Sequence, residues 1–170
     1  PISGVPFGDG ELGGFIDLHV KREDGPHAVI DLKLGGKTYR ARELTDNRHL
    51  QLAIYGHMLE QQLGQASHCA YFVFKPRGTL LARSTAFFPN ATLALPKTGS
   101  AKSDWQDCWA EFLDVWNWRW NQFRQGQIEF TVDATEPDQS SLPPLPHWQA
   151  KKGADKFNPY DTLTGWPTTA

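Results

Sequence analysis

The sequence predicts an α/β domain in which a mixed central β-sheet, built from two β-hairpins, is flanked by helices. Three observations carry this expectation. Short runs of β-branched and aromatic residues occur in pairs around turn-forming residues. A helix-prone stretch separates the two pairs, and a long 3.6-residue apolar period follows them.

The first pair is Gly14-Phe15-Ile16-Asp17-Leu18-His19-Val20 and Ala28-Val29-Ile30-Asp31-Leu32-Lys33-Leu34. Between them, Glu23-Asp24-Gly25-Pro26 supplies turn chemistry, so the two runs read as a hairpin. Strand alternation puts Phe15, Asp17 and His19 on one face of the first run. It also gives Val29, Asp31 and Lys33 one face of the second, opposite Ile30, Leu32 and Leu34. After Gly35-Gly36 a third short strand is expected from Lys37 to Arg42. Thr45 or Asp46 then caps a helix that runs to Leu63 and stops at Gly64, with Leu50, Ala53, Ile54, Met58 and Leu59 as its apolar residues.

Cys69 to Phe74 and Thr79 to Phe87 flank Lys75-Pro76-Arg77-Gly78 and form the second hairpin. Phe88 to Lys102 reads as a loop. Ser103 is the expected N-cap of a long helix to Gln125, because Trp105, Trp109, Phe112, Leu113, Trp116, Trp120 and Phe123 recur at three- and four-residue spacing and Gly126 follows. That stripe is expected to pack in a core rather than to stack on bases. Residues 1–135 then make up the domain body, and 136–170, rich in proline and ending in Trp148, Phe157, Tyr160 and Trp166, an irregular wrap of the same domain.

At 170 residues and 39% hydrophobic, the chain is long enough for one buried core. It opens Pro1-Ile2-Ser3-Gly4, with no leader and no apolar run long enough to span a bilayer, and so reads as a piece of a longer protein. Its two cysteines, Cys69 and Cys108, have no C-x-x-C spacing. Disulfide frameworks, structural zinc and cysteine-held clusters are therefore not expected, and a reducing cytoplasm is. His27, His49, His57, His68 and His147 have no zinc-like spacing either. The net charge of −2 hides a basic strip of Lys33, Lys37, Arg40, Arg42 and Arg48, broken only by Glu43 and Asp46. Such a strip lets one face of an acidic protein meet nucleic acid; a solvated surface without a partner is the alternative.

Asp17, Asp31 and Lys33 carry the chemistry. A hairpin brings the two carboxylates and the ammonium to one side of a twisted sheet, as oxygen ligands and a positive charge for phosphodiester hydrolysis assisted by a hard divalent cation. Lys33 would position or deprotonate the attacking water, or offset charge at the phosphate, and the Leu32 carbonyl is a natural further ligand. His19 shares the Asp17 face, where a strand histidine is more often simply hydrogen-bonded.

Read in order, Gly14-Phe15-Ile16-Asp17, then Asp31-Leu32-Lys33, then Gln51-Leu52-Ala53-Ile54-Tyr55 resembles the G-x-x-D, D-x-K and Q-x-x-x-Y motifs of the PD-(D/E)XK nuclease superfamily, RecB/AddB type. The resemblance implies a restriction-endonuclease-like core and a Mg²⁺- or Mn²⁺-dependent deoxyribonuclease, an exonuclease working with a helicase in recombination and repair. It implies that Asp17, Asp31 and Leu32 hold the metal, that Lys33 is catalytic, and that Gln51 and Tyr55 share a helical face toward the site. Lys37, Arg40, Arg42 and Arg48 would contact DNA. Relatives of this kind begin with helices carrying a further histidine or acidic ligand, whereas only Asp9 and Glu11 precede Asp17 here. A preceding segment or loss of that ligand would account for the difference. Thr164 stands where many relatives have a cluster-binding cysteine, so no iron–sulfur cluster is expected. The alternatives are an inactive nuclease-like domain that binds DNA or a partner protein, and a packing domain with an incidental acidic pair.

Overall fold

A long-range ladder, parallel between two strands far apart in sequence, organises the chain. In the computed structural model, which describes residues 1–95 and 104–127, β1 (Ile2–Phe7) and β2 (Gly10–Gly14) form a small antiparallel sheet. The five-stranded mixed sheet has the order β3-β4-β5-β6-β7, from β3 (Leu18–Lys21), β4 (His27–Lys33), β5 (Ser67–Val73), β6 (Thr79–Ala82) and β7 (Thr92–Leu93). Both expected hairpins are present, as the antiparallel pairs β3–β4 and β5–β6, but β6 stops at Ala82 where a strand to Phe87 was expected, and the expected loop after it contains β7. β4 and β5 pair in parallel from His27↔Ser67 to Lys33↔Val73. A parallel pair needs a long crossover, and α1 (Lys37–Thr45) and α2 (Leu50–Leu63) supply it.

The segment from Lys37 to Arg42 is helical, not a strand. Gly36, at φ 83°, turns the chain after β4, and Arg40 N–H donates to its carbonyl at 2.9 Å. Beyond Thr38-Tyr39 the residues are good helix formers, and Arg40–Glu43 and Arg42–Asp46 pair at helical spacing. Asp46 accordingly closes α1 instead of capping the next helix, which starts at Leu50 with His49 in the cap position. Asn47, at φ 54°, turns the corner between them, a conformation asparagine tolerates better than most residues.

The run from Gly14 to Val20 is likewise divided, with β2 ending at Gly14 and β3 beginning only at Leu18. The β1–β2 hairpin was not predicted: its glycines and Pro6 resemble a loop, and only Ile2 and Val5 are buried on β1.

The two sheet faces divide the core. Alternation sends Ala28, Ala70 and Ala82 to a cluster covered by Phe87 and Phe88. The opposite face meets α2, where the thiol of Cys69 contacts the Leu52 carbonyl at 3.4 Å. Leu44, Leu52, Ala53, Met58, Leu59, Tyr71, Val73 and Leu81 are buried. Cys69 and Cys108 are buried free thiols.

The chain divides into two units, Pro1–Ala110 and Glu111–Ala170, and α3 (Gln106–Arg124) crosses that boundary. Within the first, Trp105 and Trp109 are buried, and Trp105 Nε1 donates to the Ser67 carbonyl at 3.0 Å. Within the second, Trp116, Trp120 and Phe123 are 38%, 39% and 55% exposed, so the helix forms as expected while these members of its aromatic stripe are less covered than Trp105 and Trp109. Trp116 and Trp120 stack on each other at 5.8 Å, a contact that four-residue spacing brings within reach. Ser103 and the expected wrap at 136–170 lie outside the described residues. No described helix is long and apolar enough to cross a membrane.

Candidate active site

Asp17 precedes β3, and because β3 and β4 are antiparallel its position falls beside the C-terminal end of β4. Its Oδ2 accepts the Leu32 N–H at 2.9 Å, which ties the bend before β3 to β4. Asp31 lies one residue before Leu32 with its side chain fully buried, and Lys33 Nζ lies 2.8 Å from Asp31 Oδ2. The same ammonium donates to Gln51 Oε1 at 2.9 Å, and Gln51 Nε2 donates to Tyr55 Oη at 3.2 Å. Two strand residues and two α2 residues thus form one polar chain, with Asp17 attached to the strand between them.

The first glycine has a local reason to be where it is. A Cβ on Gly14 would lie 3.8 Å from Tyr55 Cε1 and 3.9 Å from Met58 Cε, so the end of β2 sits against the α2 face that carries Tyr55. That contact links Gly14-x-x-Asp17 to Gln51-x-x-x-Tyr55 in space.

Burial raises the Asp31 carboxyl above the ordinary aspartate range; Lys33 opposes the shift and the neighbouring Asp17 carboxylate adds to it. Asp31 Oδ1 is buried without a hydrogen-bond partner. Leu32 faces outward from the parallel ladder: the Lys33 carbonyl accepts from Phe74 N–H at 2.9 Å, so alternation turns the Leu32 N–H and carbonyl toward the Asp17 edge. Two carboxylates and the Leu32 backbone therefore stand at the same end of β4.

A family profile for the PD-(D/E)XK nuclease superfamily matches residues 2–137. The chain belongs to this superfamily. The mixed sheet flanked by helices is its restriction-endonuclease-like core. No significant match is found among curated proteins or among solved structures.

Nucleases of the PD-(D/E)XK superfamily typically use divalent metals, and the donor set here fits a hard cation: oxygen ligands only, one of them a buried oxygen without a partner. Among the described residues, no group of three or more histidine, cysteine or acidic side chains gathers around a metal position. The side-chain donors at this edge are thus Asp17 and Asp31. His19 is taken up elsewhere, its Nε2 2.8 Å from His27 Nδ1 with the two rings stacked.

The four expected DNA contacts have different surroundings. Lys37 is exposed at the start of α1 and Arg48 is partly exposed in the corner before α2. Arg42 is exposed and pairs with Asp46 at 3.1 Å. Arg40 is half-buried, bonded to Glu43 at 2.7 Å and placed over the Tyr71 ring. Tyr71, paired with Asp31 across the parallel ladder, was not anticipated as a neighbour of the site. Burial, followed by Glu43 and Asp31, pushes its phenol far up, so it stands beside Asp31 as a neutral wall. The strand register creates this neighbour, and no motif signals it.

Proposed function

We propose that this chain is a Mg²⁺- or Mn²⁺-dependent deoxyribonuclease that hydrolyses phosphodiesters at the Asp17–Asp31–Lys33 edge of β4. The observation that carries the reading is buried Asp31: one oxygen lacks a partner, the other faces Lys33, and a second carboxylate stands beside it. Asp17, Asp31 and the Leu32 carbonyl would hold the cation. When bound, it polarises the phosphate and makes a coordinated water more acidic.

The remaining work falls to the chain. Asp31 must be ionised to act as a ligand, and Lys33 favours that ionisation. Lys33 offsets charge on the phosphate undergoing attack as the ammonium, or takes a proton from the water as the neutral amine. Gln51 restrains Lys33 through its amide oxygen and is itself restrained by Tyr55. Lys37, Arg42 and Arg48 bring the DNA backbone to this edge, and Arg40 supports the wall behind Asp31.

The motif order supports a finer reading: a RecB/AddB-type exonuclease acting with a helicase in recombination and repair, with 1–135 as the nuclease domain and 136–170 as its wrap. The two free thiols accord with a reducing, cytoplasmic setting. The small number of acidic ligands among the described residues favours one second reading, a DNA-binding module without catalysis.

Calorimetric titration with Mn²⁺, run beside a cleavage assay on labelled single- and double-stranded DNA, separates the two. A nuclease binds Mn²⁺, cleaves, and loses cleavage in Lys33→Ala. Binding of DNA with no cleavage in any divalent metal supports the second reading.

A further inference from the structure

Tyr71 is the neighbour that has the means to block Asp31. The two pair directly in the parallel ladder, so their side chains leave the sheet on one face from strands about 4.8 Å apart. Both are buried, Tyr71 at 1% exposure, and bulk water serves neither. A phenol has one O–H to donate. Two carboxylates act on this one, Glu43 and Asp31, and the hydroxyl is bonded to Glu43. Asp31 Oδ1 is left without a hydrogen-bond partner. A hydroxyl turned the other way would make a charge-assisted bond to Asp31 and occupy an oxygen that a cation needs.

Glu43 is itself held. It is one of only two acids in the basic strip from Lys33 to Arg48, and its Oε2 lies 2.7 Å from Arg40 NH1, one helical turn earlier on α1. The same guanidinium lies over the Tyr71 ring, 5.6 Å from its centroid. One cation thus fixes the acceptor and covers the ring that donates to it. A surface pair at this spacing would contribute little, but this pair is mostly out of water and its carboxylate carries a second bond.

Building on the nuclease reading, we infer that Glu43 is a positioning residue: it draws the Tyr71 hydroxyl away from Asp31 and so keeps Asp31 Oδ1 open to a divalent cation. Glu43 acts only through Tyr71 and is not itself a ligand. Arg40 holds Glu43 in place. Neither residue belongs to the motifs that mark the superfamily.

The test uses the whole chain with ¹³C-labelled aspartate carboxyls, free of metal, and assigns the Asp31 signal by its loss in Asp31→Asn. The signal stays in place in Tyr71→Phe, because the hydroxyl does not touch Asp31, and in Glu43→Gln, whose amide oxygen still accepts the hydroxyl. It moves in Glu43→Ala and returns when Tyr71→Phe is added. Calorimetric titration with Mn²⁺ follows the same pattern: Glu43→Ala weakens binding about tenfold, while Glu43→Gln and the double variant bind like the wild type. A signal that moves in Tyr71→Phe alone overturns the inference. So does a double variant that behaves like Glu43→Ala, or equal losses in Glu43→Gln and Glu43→Ala, which would mean that Glu43 acts by its charge. Melting verifies folding, and if Glu43→Ala does not fold, Tyr71→Phe and Glu43→Gln decide. Cleavage is scored separately. If the metal-free signals behave as stated while the wild type neither binds Mn²⁺ nor cleaves, the role of Glu43 stands and the nuclease reading falls. If the wild type binds Mn²⁺ and cleaves while folded Glu43→Ala keeps both its signal and its affinity, the reverse holds.

Discussion

Lys33 on β4 donates to Gln51 on α2 at 2.9 Å, so the ammonium beside Asp31 is held by a helix eighteen residues further along the chain. The crossover between parallel strands is thereby part of the site and not merely a connection. A lysine has four rotatable bonds, and without such a restraint its charge would be distributed over a wide arc.

Gln51→Leu removes the restraint and leaves the carboxylates in place. Loss of a hydrogen bond to a charged group is worth about 1.5–3 kcal/mol, so kcat/KM should fall by roughly ten- to a hundredfold. Mn²⁺ affinity should stay close to that of the wild type. Steady-state cleavage and calorimetry on the same preparation check both parts.

Gly56 tests the packing beneath the site. A Cβ there would meet Trp105 Nε1 at 2.7 Å and Cδ1 at 2.8 Å, while that indole donates to the Ser67 carbonyl and Ser67 Oγ donates to the Gly56 carbonyl. Helix propensity alone favours alanine by about 1 kcal/mol, but overpacking costs about 1–3 kcal/mol, and a rigid ring at this distance has little room to yield. Gly56→Ala should therefore lower the urea midpoint despite its better helix propensity.

Buried His49 makes the fold sensitive to acid. Burial, followed by the nearby Arg83 cation, lowers its pKa from 6.5 to about 4, while Nε2 donates to the Asp104 carbonyl at 3.0 Å. In the unfolded chain it takes up a proton near pH 6.5, and in the folded chain only near pH 4. Between these values the unfolded state binds more protons, so stability falls as pH falls, by about 3 kcal/mol from this group at pH 4. Denaturant unfolding from pH 7 to 4 should show the loss, and the difference from His49→Gln isolates it from other titrating groups.

How much of this was legible in the sequence follows from the range of each signal. The hairpins were, because period-two alternation and Asp24-Gly25-Pro26 act within a few residues. Asp17, Asp31, Lys33, Gln51 and Tyr55 could be chosen because the order of short motifs survives in one dimension; their geometry joins them in space without testing their roles. The segment Lys37–Thr45 was misread because one pair, Thr38-Tyr39, favours a strand while the turn at Gly36 and two local ion pairs favour a helix. Tyr71 was invisible for a different reason: only the parallel register of β5 on β4 sets it beside Asp31, and register between distant strands leaves no local mark.

Asp31 tests the central claim most directly. Its buried carboxylate faces Lys33, neighbours Asp17 and retains an unpartnered atom. Asp31→Asn preserves the shape of the side chain and removes its charge. Mn²⁺ titration and DNA cleavage should be measured on that variant and on the wild type. The account predicts that the wild type binds Mn²⁺ and cleaves, and that the variant loses both while remaining folded. A folded variant that binds Mn²⁺ and cleaves at the wild-type rate would contradict it.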